Sequence, residues 1–149
     1  MTDKPLILVL CTGNSARSQM AEAFIRKYKR DQFAVASAGT QPGPEVNPFA
    51  IRAMAEIGID ISSHRPKDIR EFLGKAPVRH VLVVCDNANQ SCPRIWPGTF
   101  SQTFLPFDDP AAFVGTDEEK LAEFRRVRNQ IDKAIRSWIP EPTATQTSK

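Results

Sequence analysis

At 149 residues, with 41% hydrophobic and 25% charged side chains, the chain fits one globular domain that buries roughly 68–70% of its extended-chain surface. Its longest strongly apolar stretches, residues 6–10 and 81–84, fall far short of the ~20 residues of a membrane helix; the start, Met1-Thr-Asp-Lys-Pro5, carries no signal-peptide core, and a cytoplasmic location with no membrane partner is expected. The net charge of +3 is modest, acidic residues are interleaved in the basic stretch 125–136, and one Tyr and two Trp give no stacking pattern, all of which argues against nucleic acid.

In chain order, Leu6-Ile-Leu-Val-Leu10 is a continuous apolar run suited to a strand buried on both faces. Residues 11–15 are polar and contain Gly13 and Asn14, the residue types that best tolerate positive φ. A helix is predicted from about Ser18 to Arg30, its stripe made of Met20, Ala21, Phe24, Ile25 and Tyr28. Phe33-Ala-Val-Ala36 reads as a second strand closed by Ser37-Ala-Gly39. Strand, tight loop, helix and strand begin a parallel α/β fold.

Asn47-Pro48 is a helix-start signal, with Ala50, Met54 and Ile57 as the buried stripe and Gly58 at the C-terminal cap. Ile59-Asp-Ile61 is short and extended, and residues 66–72 suggest another helical segment with Asp68 in its first turn. Residues 78–85 form a central strand around Val81-Leu-Val-Val84, and a further strand near 103–107 runs into Asp108-Asp109-Pro110. Thr116-Asp-Glu-Glu119 is a capping-box pattern opening a long helix through Leu121, Phe124, Val127, Ile131, Ala134, Ile135 and Trp138, which Pro140 stops. Residues 1–139 make one domain; the polar tail 140–149 has nothing to pack and is expected to be disordered.

Chemistry concentrates in Cys11-Thr-Gly-Asn-Ser-Ala-Arg17-Ser18, between the first strand and the first helix. A tight loop opening a helix turns successive backbone N–H groups inward as an anion nest, so Thr12, Gly13, Asn14, Ser15, Ala16 and Arg17 are the oxyanion-binding candidates. Arg17 adds a planar two-pronged donor, and Ser18 a hydroxyl that can donate to sulfur. Cys11 lies at the bottom of this positive cup, where a thiol that ordinarily titrates near pH ~8.5 is lowered by several units. The bland alternative makes Cys11 a small buried residue ending a strand, and leaves the register of Gly13, Asn14, Arg17 and Ser18 to accident. Neither a G-x-x-x-x-G-K-[ST] loop nor a G-x-G-x-x-G loop occurs.

Residues 11–24 resemble the signature of the low-molecular-weight protein tyrosine phosphatases and the related thioredoxin-coupled arsenate reductases. Ser37-Ala-Gly39, Val46-Asn-Pro48 and an Asp-Pro before the last helix extend the resemblance over about residues 5–138. It implies an α/β domain of low-molecular-weight phosphatase type, with a four-stranded parallel sheet, helices on both faces and the Asp-Pro loop over the cradle. By it Asp109 is the general acid and Asp108 a turn residue. A general acid makes sense chemically, because an oxygen leaving phosphorus or arsenic needs a proton. Taken alone, Asp109 is also explained as a capping residue. Some of these reductases hold potassium near the cradle; the matching positions are Asn14, Glu22, Ser37 and Asp68, whose oxygens ordinary capping and turn roles explain equally well.

The three cysteines, an odd number, do not suggest a disulfide framework. Cys85 and Cys92, in Val84-Cys85-Asp-Asn-Ala-Asn-Gln-Ser-Cys92-Pro93, match the redox segment of the arsenate reductases in context and in spacing. Seven residues of helix rise about 10.5 Å, whereas a disulfide needs Cα atoms about 4.4–6.8 Å apart. A helix carrying both thiols would have to unwind, and Asp86, Asn87 and Asn89 make that easy. The implied relay has Cys11 attack arsenate, Cys85 displace arsenite, and Cys92 carry the oxidation to a Cys85–Cys92 disulfide that thioredoxin or another thiol reductant removes. Against it stands Cys85 as a strand-end residue and Cys92 as an incidental loop thiol. A zinc site is disfavoured, since Cys-x6-Cys is wide and His64 and His80 bring no supporting pattern. After Asp-Pro come Ala111 and Ala112, where tyrosine phosphatases of the family carry aromatic walls for a phenyl ring, and Ala16 stands where many members carry Cys. The expected function is arsenate reduction by a monomer with no required cofactor. The alternatives are a phosphatase working through phospho-Cys11, which needs one cysteine, and a non-enzymatic oxyanion or redox sensor.

Overall fold

A computed structural model describes residues 4–72, 77–84 and 101–138. Four parallel strands, β1 (Leu6–Cys11), β2 (Ala34–Gly39), β3 (Val78–Val83) and β4 (Ser101–Phe104), form one sheet in the order β2-β1-β3-β4. Successive strand residues face opposite sides, and Ile7, Leu8, Val9 and Leu10 are all at 0–1% exposure, so both faces of the sheet are covered. Among the described residues the α-helices are α1 (Arg17–Lys29), α2 (Pro48–Ala55) and α3 (Asp117–Ser137). α3 packs on both α1 and α2, and α1 on β1 and β2. Phe49 against Phe124, centroids 5.7 Å apart, joins α2 to α3 within the core.

The chain runs from β1 out to β2 and then returns across β1 to β3. The direction reverses between β1 and β3, and in open α/β sheets ligands settle at the C-terminal strand ends beside such a point. Cys11 is the last residue of β1. Beside it Val84, one residue past the end of β3, donates its N–H to Leu10 O at 3.0 Å.

Several elements differ from the sequence expectation, each for a local reason. α2 closes in a Schellman turn, Gly58 (φ 82°) donating to Ala55 O and Ile59 to Met54 O; this turn carries Ile57 off the buried stripe, leaving it 39% exposed. Tyr28 also stands at the edge of its stripe, 38% exposed, with its hydroxyl donating to Asp132. Residues 66–72 hold only a single 3-10 turn, Ile69–Glu71, because Lys67 N–H and C=O are already committed to Asn14 and Gly39. The last strand ends at Phe104 rather than 107: Leu105 N–H bonds Val83 O in register, but Phe107 N–H bonds Val84 O, one residue short of the two-residue step of a parallel ladder. Gly39 ends β2 as a strand residue, and β3 stops at Val83. The capping box of α3 forms as expected, with Thr116 Oγ1 accepting from Glu119 N–H and the Glu119 carboxylate from Thr116 N–H. The expected tail, 140–149, lies outside the described residues.

Candidate active site

The loop from β1 into α1 is held by its carbonyls. Cys11 O accepts from Thr40 N–H (3.3 Å), Thr12 O from Gln41 (2.9 Å), Gly13 O from Gly43 (2.9 Å) and Ser15 O from Asn47 (2.8 Å). Asn14 O accepts from the Gln19 side-chain amide (3.1 Å), and Ala16 O from Met20 N–H (2.9 Å). No peptide among the described residues is cis, and in a trans peptide the C=O of one residue opposes the N–H of the next. Tying the carbonyls of residues 11–16 to partners around the loop therefore turns the N–H groups of residues 12–17 to its inner side. Asn14 takes the one positive φ that the turn requires of a non-glycine residue, 52°. Gly39 allows the scaffold to come this close, since a Cβ there would lie 2.3 Å from Thr12 O.

α1 then begins without help from its own sequence. Its N-cap is Ala16, no side chain caps the first turn, and no acidic residue sits in it. The unspent N–H groups and the positive end of the helix dipole are left for an anion. A cleft of about 190 Å³ opens here, lined by residues 11–17, Asp109 and Ala111. Cys11 is buried at 3% exposure. Arg17 donates to Phe107 O (3.1 Å) and stands 3.5 Å from the Asp109 carboxylate, so one guanidinium bridges cradle and rim. Asp109 also accepts from Ala111 N–H (3.0 Å), which points its short 3-10 turn, Pro110–Ala112, at the cleft mouth. Asp108 faces away and pairs with Arg126 at 3.1 Å.

Behind the cradle lies a polar network sealed from solvent. Asn14, Ser18, Gln19 and Ser37 are at 0% exposure and Glu22 at 5%. Asn14 Nδ2 donates to Ser18 Oγ (2.8 Å) and Ser37 Oγ (2.9 Å), and Ser37 donates on to Glu22 at 2.5 Å. Asn14 Oδ1 accepts from Lys67 N–H (2.8 Å) and Gln19 (3.2 Å). Glu22 is balanced by Arg26 at 2.7 Å and by Lys67 Nζ at 4.0 Å. Burial lowers the Lys67 ammonium from its ordinary range, Glu22 opposing the shift, and burial likewise lowers the His64 imidazole. Asp68 turns instead to Arg70, whose hydrogen bonds hold its carboxyl at about 2.

These contacts do not fit a potassium ion at Asn14, Glu22, Ser37 and Asp68. The first three are joined, but their oxygens are taken by protein donors, two cations already neutralise Glu22, and Asp68 belongs to a separate ion pair.

Residues 6–148 match the model of the low molecular weight phosphotyrosine protein phosphatase family. The chain belongs to this family. It is 47% identical over 137 residues to an arsenate reductase of Halalkalibacterium halodurans and 40% identical over 137 residues to one of Bacillus subtilis, each time covering 91% of this chain and 96% of the relative. The solved structure of an arsenate reductase in the phosphate binding state superposes with a TM-score of 0.74 at 30% identity, covering 89% of this chain and 95% of that one.

As a member of the low-molecular-weight phosphatase family, the chain brings Cys11, Arg17 and Asp109 to one cleft and places Ser18 beneath it. Cys85 and Cys92 lie outside the described residues. His80 is buried in β3 and hydrogen-bonded to Ser101, and no group of three or more metal-ligating side chains occurs among the described residues. No helix among them is long and apolar enough to cross a membrane. Gln19, Lys67 and the donors at 40, 41, 43 and 47 go unnoticed in the sequence. Backbone donors leave no signature of residue type, and a glutamine inside a helix reads as solvated surface.

Proposed function

We propose that this chain reduces arsenate to arsenite through a three-thiol relay. The observation that carries the reading is the cradle: a buried cysteine under a ring of inward-turned N–H groups at an uncapped helix, in a chain whose relatives at 40–47% identity are arsenate reductases. The cup takes the tetrahedral oxyanion, with Arg17 as its two-pronged clamp. The Cys11 thiolate attacks arsenic, and an oxygen departs as water with a proton from Asp109. Ser18, whose oxygen already accepts from Asn14, keeps its hydroxyl proton for the Cys11 sulfur.

The Cys85 thiolate then attacks the Cys11 sulfur. The S–As bond breaks toward arsenic, which leaves as arsenite two electrons richer, and a Cys11–Cys85 disulfide forms. Cys92 attacks Cys85, returning Cys11 as thiolate and leaving a Cys85–Cys92 disulfide for a dithiol reductant of the thioredoxin type. The route into Cys85 supports this order, since the chain reaches it from Val84, bonded to Leu10 beside the end of β1. Such chemistry belongs in the cytoplasm, where reductants keep thiols reduced, and a monomer suffices for it. Ala111 at the cleft mouth, where a phenyl ring would need a wall, favours a small inorganic anion. With Glu22 balanced by Arg26 and Lys67, we expect no need for a potassium ion.

The test is NADPH consumption with arsenate, thioredoxin and thioredoxin reductase. Turnover by the wild type and none by Cys11→Ser, Cys85→Ser or Cys92→Ser supports the relay. Hydrolysis of an aryl phosphate that only Cys11→Ser abolishes, with no arsenate turnover, would make the chain a phosphatase. Oxyanion binding with neither activity would make it a sensor.

A further inference from the structure

Of the cradle carbonyls from Cys11 to Ser15, four are held by backbone N–H groups of residues 40–47, whereas that of Asn14 is held by a side chain, the amide of Gln19. This is also the residue at φ 52°, where rotation of the following peptide would turn the Ser15 N–H out of the cup and a carbonyl into it. Gln19 is completely buried and does not line the cleft, so it cannot touch the anion itself. Its Nε2 faces three acceptors: Asn14 O at 3.1 Å, Asn14 Oδ1 at 3.2 Å and Arg65 O at 3.0 Å. Reversing the amide would set oxygen against all three. Oε1 therefore stays on the other side, where His64 Nδ1 lies 3.1 Å away, and His64 must carry a proton on Nδ1 to donate to it. That bond exists in both the neutral and the charged imidazole.

We propose that Gln19 is a positioning residue for oxyanion binding, locking the 14–15 peptide with its Ser15 N–H in the cup, and that His64 holds the Gln19 amide the right way round. Gln19 also ties the loop ending in Arg65 to the cradle, so the lock spans two segments far apart in sequence. The inference rests on residues 11–17 being an oxyanion cradle, and holds whether the later step is reduction or hydrolysis.

Gln19→Met keeps the volume and removes the donors. The readouts are inorganic phosphate affinity by calorimetry and the pH dependence of Cys11 alkylation by mass spectrometry, neither of which a mere loss of core packing would move. In the folded variant, phosphate should bind about tenfold more weakly, as expected for one buried hydrogen-bonding group lost from the anion site, and Cys11 should titrate at higher pH. Unchanged affinity and titration would overturn the inference and leave Gln19 as core filling. Should Gln19→Met fail to fold, His64→Phe at the half-buried rim decides. A loss of about threefold, for freedom of the amide to reverse, supports the lock, and unchanged phosphate affinity rejects it. If the wild type itself binds no phosphate, the cradle reading has failed instead.

Discussion

The cradle and its rim are built by opposite means. Residues 11–17 are fixed from outside by backbone donors and from behind by a buried network of Asn14, Ser18, Gln19, Ser37 and Glu22. The rim at 107–112 is held at the surface: Asp109, with its side chain 42% exposed, keeps its place through one backbone N–H and an ion pair with Arg17, and Asp108 is tied to Arg126. Donors that must recognise charge without reorganising belong in the rigid part. The group proposed to give up a proton stands instead at the exposed rim, where an incoming anion meets it.

Breaking the cradle should therefore cost more than breaking the rim. Arg17→Lys removes the planar clamp and the bridge to Phe107 and Asp109, and kcat/KM for arsenate should fall about 10²–10³-fold with the melting temperature little changed. Asp109→Asn removes the proposed proton donor and should lower kcat about 10²-fold while phosphate affinity is kept or improved, because the carboxylate beside the cup is gone. Asp108→Asn, facing Arg126, should stay within about twofold of wild type; equal losses at 108 and 109 would erase the distinction. Replacing sodium by potassium at constant ionic strength should change kcat/KM by less than about twofold, since Arg26 and Lys67 already balance Glu22.

The smallest effect is expected at Asp68. Its carboxyl is held at about 2 by Arg70, so the pair's contribution is complete above the ordinary carboxylate range and is lost as pH falls through about 2. Asp68→Asn should lower the melting temperature slightly and equally from pH 5 to 8, and the difference from wild type should vanish near pH 2. A clear loss of arsenate turnover in this variant would tie Asp68 to the cradle after all.

The parts of the fold that could be read in advance are those where one local pattern decides. The apolar run of β1, the Asn47-Pro48 start of α2 and the capping box at Thr116 state their structure within a few residues. The cup was legible because Gly13, Asn14, Arg17 and Ser18 each have a chemical reason to sit at their spacing from Cys11. What escaped depends on partners distant in sequence. Nothing local says that Lys67 spends its backbone on Asn14 and Gly39 and so shortens the helix expected at 66–72. Nor does a buried Gln19 differ by type from an exposed one. Nor does any local pattern show that the register on β3 slips between Leu105 and Phe107 and so ends β4 at Phe104.

The central claim is that the oxidation equivalents of arsenate end on this chain's own thiols. Fully reduced protein, mixed with excess arsenate and no reductant, is assayed for arsenite, for remaining thiols and for disulfide-linked peptides. The account predicts one arsenite per chain and a fall from three thiols to one, with Cys85 joined to Cys92. No arsenite and all three thiols intact would contradict it.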